Sequence, residues 1–318
     1  MLAFAIVASC SILPSSVAQS LKPSRVIDLT KVQIAGSVCR AELPSSFSNI
    51  QWLDDSRLLA STYWAHCDAN STDRKKFETE AVLFDTSGTI LATDHGNASM
   101  YARGPHGTVA QFQTGEINLL DAQMHVEQEI PCPKSSKRCG ISIAQSPTIG
   151  SDFALCSFSG HSQQDCDFYA GSPAIRVSQA ALPSGENPYT GPTRDFWEVS
   201  PEEKWFFDNG RLASTKTDGS RSLVNSTNFI GSNGGACEGQ LSEASPKRFL
   251  AVCVGTHWYS DGMFDSLFGF SRILLFDVSA RSIVGRIDDS AFISAAISPS
   301  GRRIAILKNG KVRLYDVP

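Results

Sequence analysis

Past residue 18 the chain keeps no apolar stripe of helical period over three turns. Short runs of alternating apolar and polar residues recur instead, each bounded by Gly, Asp, Asn or Ser. This pattern predicts strands joined by tight turns. The clearest unit runs from Phe47 to Asp94. It reads as a strand Ser48 to Leu53, the turn Asp54-Asp55-Ser56, a strand Arg57 to Trp64, a polar insertion, a strand Thr79 to Asp85, the turn Thr86-Ser87-Gly88 and a strand Thr89 to Thr93. Four antiparallel strands in succession make a meander. At the other end, Ala291 to Ser298, Arg302 to Leu307 and Lys311 to Val317 supply only three strands, separated by Pro299-Ser300-Gly301 and Asn309-Gly310. The segment Arg25 to Leu29 has the length and alternation to serve as the fourth.

Units of this kind begin near residues 48, 99, 141, 195, 240 and 291. Four-stranded units repeating at about 40 to 55 residues predict an all-β propeller, closed into a ring by its own N-terminal strand. Six blades fit these starts. Seven remain an alternative, because the 156 residues from Asp121 to Asp277 divide into four units of 39 as readily as three of 52.

The turn residues carry a resemblance. Ser298-Pro299-Ser300-Gly301-Arg302-Arg303-Ile304-Ala305 resembles the S-P-D-G-[KR]-x-[IL]-A turn of WD40-like and TolB-like propeller repeats. A hydrophobic residue followed by Asp closes the third strand at Phe84-Asp85, Leu120-Asp121, Phe276-Asp277 and Tyr315-Asp316, similar to the Trp-Asp dipeptide of the WD40 family. No true Trp-Asp occurs and the Gly-His element is missing, so the resemblance implies the fold and no inherited partner or activity.

Composition then narrows the setting. The 318 residues carry 28 Lys and Arg against 32 Asp and Glu, a net charge of −4 that argues against nucleic acid as a partner. The apolar run Leu2 to Leu13, followed by Pro14 and the small residues Ser16-Val17-Ala18, predicts a signal peptide at residues 1–18 and a single propeller domain over residues 19–318. The run is too short for a membrane span. The alternative is Val7-Ala8-Ser9-Cys10 as a lipobox, leaving a lipid anchor on Cys10. Removal of residues 1–18 leaves eight cysteines, an even number that suits an oxidising, extracytoplasmic compartment, secreted or periplasmic. Their clustering predicts local bridges Cys132 to Cys139, Cys156 to Cys166, Cys237 to Cys253 and Cys39 to Cys67. None of these intervals has the C-x-x-C spacing of a zinc site.

Motifs for a nucleophile elbow, a P-loop, a zincin helix and an EF-hand are all missing, and the six histidines have no metal-ligand spacing. No catalytic residue, metal or cofactor is expected. The long insertions, Ala65 to Glu78, Pro131 to Gly140, Ser159 to Cys166, Ala181 to Arg194 and Thr256 to Phe270, all fall between second and third strands or between blades. In a meander those connections emerge on one face. Thr256 to Phe270 concentrates His257, Trp258, Tyr259, Phe264 and Phe268, read as a loop of rigid aromatic anchors for a partner, or else as a satellite core over its blade. The reading is an exported, non-catalytic binding module for an unidentified protein or small ligand. The alternative is a secreted hydrolase, lyase or quinoprotein-like oxidoreductase with its site in the central channel.

Overall fold

The computed structural model describes residues 19–34, 47–62, 65–66, 77–96, 98, 100–143, 151–157, 163–183, 196–208, 211–225, 235–260, 265–289 and 294–317. Two strands, β1 (Gln19–Ser20) and β2 (Arg25–Asp28), precede the first blade. That blade holds β3 (Asn49–Trp52), β4 (Arg57–Ser61), the short β5 (Ala65–His66), β6 (Phe77–Asp85) and β7 (Ile90–Gly96). The second is β8 (Met100–Arg103), β9 (Val109–Phe112), β10 (Glu116–Leu120) and β11 (Val126–Pro131). The third is β12 (Cys139–Ile143), β13 (Phe153–Ser157), β14 (Gln163–Ala170) and β15 (Ile175–Pro183). The fourth is β16 (Phe196–Ser200), β17 (Glu203–Asp208), β18 (Arg211–Lys216) and β19 (Arg221–Leu223). The fifth is β20 (Gly235–Leu241), β21 (Arg248–Ser260), β22 (Asp265–Asp277) and β23 (Ser282–Asp289). The sixth is β24 (Ser294–Ile297), β25 (Arg303–Lys308) and β26 (Lys311–Asp316), with β2 as its outermost strand.

Six blades therefore form the ring, and the seven-blade alternative falls away. Innermost strands of successive blades touch, as β24 does β3, β3 does β8, and β20 does both β16 and β24. The only helical residues described are two single 3-10 turns, Pro105–Gly107 and Pro133–Ser135.

Alternation along each strand gives it two sides, and each side meets a neighbouring blade rather than water. Hence the second and third strands are nearly continuous apolar runs. Ala81 to Phe84 and Ile304 to Leu307 are all buried. The core lies in the seams. Phe249 sits at the centre of the seam between the fourth and fifth blades, with ring centroids 5.1 Å from Trp197, 5.5 Å from Trp205 and 6.4 Å from Phe276.

Ring closure follows the expected route. β2 pairs antiparallel with β26, Arg25 opposite Leu314 and Ile27 opposite Val312. Ile27 and Leu29 enter the same core as Trp52 and Phe84 of the first blade, so the N-terminal strand cements the sixth blade to the first. A second clasp was not anticipated from sequence. β1 pairs in parallel with β23 of the fifth blade, Gln19 opposite Gly285, and Leu21 packs onto that glycine, where a Cβ would come within 2.8 Å of its Cδ1. Two residues carry too little alternation to be read as a strand.

Candidate binding rim

Repetition of one meander divides the connections between two rims. First-to-second and third-to-fourth connections meet on one, here the turn rim. Second-to-third and blade-to-blade connections meet on the other, the loop rim.

On the turn rim the hydrophobic-Asp dipeptides explain themselves. Asp85 Oδ1 accepts from the Ser87 and Thr89 N–H groups at 2.8 and 2.9 Å and from the Ser87 hydroxyl at 2.6 Å, capping the hairpin between β6 and β7. Asp121 does the same with the Gln123 and His125 N–H groups, each at 2.8 Å, and Asp277 with the Ala280 N–H and Ser279 hydroxyl. Asp54 and Asp218 cap other turns in the same way. These bonds favour the carboxylate. They hold Asp85 below the ordinary carboxylate value, first through the Ser87 hydroxyl, and Asp121 through the His125 N–H.

Polar side chains then lock one blade to the next on this rim. Arg25 Nη1 donates to the Ser87 carbonyl (2.9 Å), Arg57 Nη2 to the Gly107 carbonyl (3.1 Å), and His106 Nε2 meets Asp152 Oδ2 at 3.2 Å. Arg281 Nη1 donates to Glu203 Oε1 at 2.7 Å, and the Glu243 N–H donates to the Pro299 carbonyl at 2.8 Å. Arg103, at the end of the innermost strand of the second blade, reaches Glu243 beside the innermost strand of the fifth, Nη1 to Oε1 2.5 Å. Those two blades stand opposite each other in a ring of six, so the ion pair crosses the axis at the turn rim. Nothing in the sequence singled out these two residues, since they are 140 positions apart and neither belongs to a motif.

The loop rim is built differently. Three predicted disulfides are present, Cys132–Cys139, Cys156–Cys166 and Cys237–Cys253, and all lie toward this rim. Cys156 stands directly opposite Cys166 on β13 and β14, and Cys237 opposite Cys253 on β20 and β21. Cys132–Cys139 instead joins the outer strand of the second blade to the inner strand of the third. Lys134 within that bridged segment pairs with Asp165 of β14, Nζ to Oδ1 2.6 Å, which places two of the expected insertions side by side. Cys39 and Cys67 lie outside the described residues.

Between the first and second blades this rim buries a polar chain. Tyr101 Oη donates to Asp94 Oδ2 (2.8 Å), and Gln111 Nε2 donates to the same oxygen (2.9 Å). Gln113 Nε2 and Asn118 Nδ2 both donate to Gln111 Oε1 at 3.0 Å. Burial, with the Asp94 charge beside it, pushes the Tyr101 phenol far up, so this hydroxyl serves as a fixed donor. Among the described residues no group of His, Cys, Asp and Glu could hold a metal ion.

Thr256 to Phe270 is corrected from a loop to a hairpin. β21 and β22 stay paired from Arg248 opposite Asp277 out to Ser260 opposite Asp265, with His257 opposite Phe268, Trp258 opposite Leu267 and Tyr259 opposite Ser266. Among the described residues the flanking strands pair as far as Gly235 opposite Gly255 and Asp289 opposite Ser271, and the pairing of β21 with β22 continues beyond those points. The regularity was missed because Gly262 and the aspartates suggested turns, whereas the aromatic residues of the segment favour a strand. Phe264 lies outside the described residues. Two further boundaries shift. Strand β14 begins at Gln163 and takes in part of the insertion expected over Ser159 to Cys166, and β15 runs on to Pro183.

No protein-family model matches the chain, and no curated protein sequence does. Solved structures resemble it. The C-terminal WD40 domain of Sif2 covers 95% of this chain and 99% of its own at 11% identity, with a TM-score of 0.43. The WD40 domain of Neurospora crassa Pan2 covers 94% and 98% at 10% identity and TM-score 0.45. A chain of a mitotic checkpoint complex covers 100% and 98% at 15% identity and TM-score 0.36. The resemblance is one of WD40-like β-propeller architecture.

Proposed function

We infer that the protein is an exported, non-catalytic propeller that binds a partner, protein or small ligand, on its loop rim. The observation that carries this reading is the asymmetry of the two rims. On the turn rim the connections are short capped turns tied to their neighbours by interblade bonds, and an ion pair crosses the axis. On the loop rim, disulfides brace the connections and the β21–β22 hairpin stays paired out to Ser260 opposite Asp265. Rigid support under elaborated connections is what a recognition surface needs, because it lowers the ordering cost of binding. Three disulfides fit an oxidising compartment, and an exported chain cleaved after Ala18 would begin at β1. A channel enzyme is less well supported. Among the described residues the ionisable groups that meet across the axis are Arg103 and Glu243, from two blades, and each neutralises the other.

The test replaces Trp258 and Tyr259 by Ala and measures both melting temperature and capture of material from the extracytoplasmic extract of the source organism. Retained stability with loss of one captured species supports a binding hairpin, since truncating a hot-spot residue costs about 2 kcal/mol or more of binding. Lost stability with unchanged capture overturns the hairpin as a binding element.

A further inference from the structure

The outer circumference of the ring presents six strand edges, and five are guarded. β2 is four residues long with Arg25 and Asp28, and β19 is only three. β11 carries Glu127 and Glu129, β7 carries Asp94 and His95, and β23 carries Arg286, Asp288 and Asp289 and is covered in part by β1. Shortness, charge and cover are the ordinary means by which proteins keep exposed edges from pairing.

β15 is the least guarded of the six. It is nine residues long and, among the described residues, pairs with β14 alone. Its one charge, Arg176, is turned to Asp167 of its own blade. Ile175 to Gln179 are exposed at five successive positions, so both faces of the strand stand clear of the neighbouring blades, with Ile175 66% and Val177 50% exposed. The small core beneath it, Ala154, Cys156, Cys166 and Phe168 with Ala180 and Leu182, belongs to the third blade alone. A bulge against β14 displaces Val177, and the register from Ser178 to Pro183 is unbroken.

We propose that β15 is a dimerisation edge, at which the third blades of two copies of this chain join as antiparallel strands into one continuous eight-stranded sheet. The occupant follows from the sequence of the edge. A two-fold axis at Ala180 sets Ser178 opposite Leu182 and Gln179 opposite Ala181 of the second copy, with Val177 facing Pro183. No charged residue falls anywhere in that segment. Small and neutral side chains let two backbones approach to the strand spacing with nothing to repel them. The fifth blade already accepts β1 on its outer edge, so an outer strand of this ring can take a further strand. One edge pair buries less than a standard interface, which makes the dimer a reversible one. The contact centres on the loop-rim half of β15, where Ala180 stands opposite Cys166 and Pro183 opposite Gln163, and its test reads self-association, which is measured separately from the partner capture proposed for that rim.

Sedimentation velocity of the full mature chain across a concentration series tests this, alongside Gln179→Lys with Ala181→Lys. Both positions are exposed, and in the dimer each lysine would face a lysine of the second copy. The expected result is a concentration-dependent monomer–dimer equilibrium that the double lysine variant weakens by about tenfold or more at an unchanged melting temperature. A second variant, Gln179→Cys with Ala181→Cys, is expected to give a covalent dimer on a non-reducing gel. A chain that stays monomeric throughout overturns the proposal, as does a dimer that both variants leave unaltered.

Discussion

Gly239 shows how closely single residues are fitted. A Cβ there would lie 2.5 Å from Phe249 Cζ and 2.7 Å from Trp197 Cζ2, inside an aromatic seam with no slack. Gly239→Ala is therefore expected to destabilise the fold by about 1–3 kcal/mol through overpacking, read as a fall in the midpoint of urea unfolding. The turn-capping aspartates give a second expectation at this scale. Hydrogen bonds lower the carboxyl pKa of Asp28, Asp85, Asp121 and Asp218 in the folded state, so in acid the unfolded chain binds more protons. Their contribution is complete above the unfolded value of 3.8 and is lost as pH falls through the lower folded values. Melting temperature should thus be flat above about pH 5 and decline below about pH 4. A decline beginning near neutrality would contradict this. Asp28 and Asp218 stood in none of the dipeptides singled out, while Asp85 and Asp121 were visible in the sequence because a capped turn demands one residue type at one position. Arg103 and Glu243 were not, since an ion pair across the axis depends on how six blades close.

At the scale of elements, each disulfide joins strands or connections that the fold already brings together. Replacing Cys156 and Cys166 by Ala should cost about 2–3 kcal/mol, because the bridge closes a short loop and its removal frees only modest chain entropy. Peptide mapping that found free thiols at either position would contradict the pairing. The N-terminal clasps are a larger matter. Deleting residues 19–30 removes β1, β2 and the buried Leu21, Ile27 and Leu29, and bares an edge on β23 and on β26. The truncated chain should melt lower and associate, and a monomer of equal stability would show that the ring closes without them. Strand β2 was legible because an incomplete last blade asks for a partner. β15's reach to Pro183 and the pairing of β21 with β22 beyond Gly255 were not, because Gly and Asp mark a turn or a strand end equally well until pairing decides.

On the scale of the whole molecule, six copies of one meander give two rims with different chemistry, although each blade alone would give both rims alike. Insertions accumulated where second-to-third and blade-to-blade connections emerge, and disulfides brace that rim. Polar contacts cross the seams on both rims, and the pair that crosses the axis, Arg103 with Glu243, lies on the turn rim. The Arg103–Glu243 pair is partly exposed on both sides and contributes at most about 1 kcal/mol, so its effect is on the shape of the channel end more than on stability. Architecture and the position of the elaborated rim could be read from the spacing of turns. What that rim recognises could not, because binding surfaces are made of side chains from separate blades and leave no linear pattern.

A partner held on the loop rim lies within reach of the side chains there and out of reach of those on the turn rim, and site-specific photocrosslinking distinguishes the two. A benzophenone side chain is placed in turn at Lys134 and Gln163 on the loop rim and at Ser87 and Ser300 on the turn rim, and each protein is irradiated in the extracytoplasmic extract of its source organism. The account predicts a discrete adduct from the loop-rim positions and none from the turn-rim positions. Adducts arising only from Ser87 or Ser300 would contradict it.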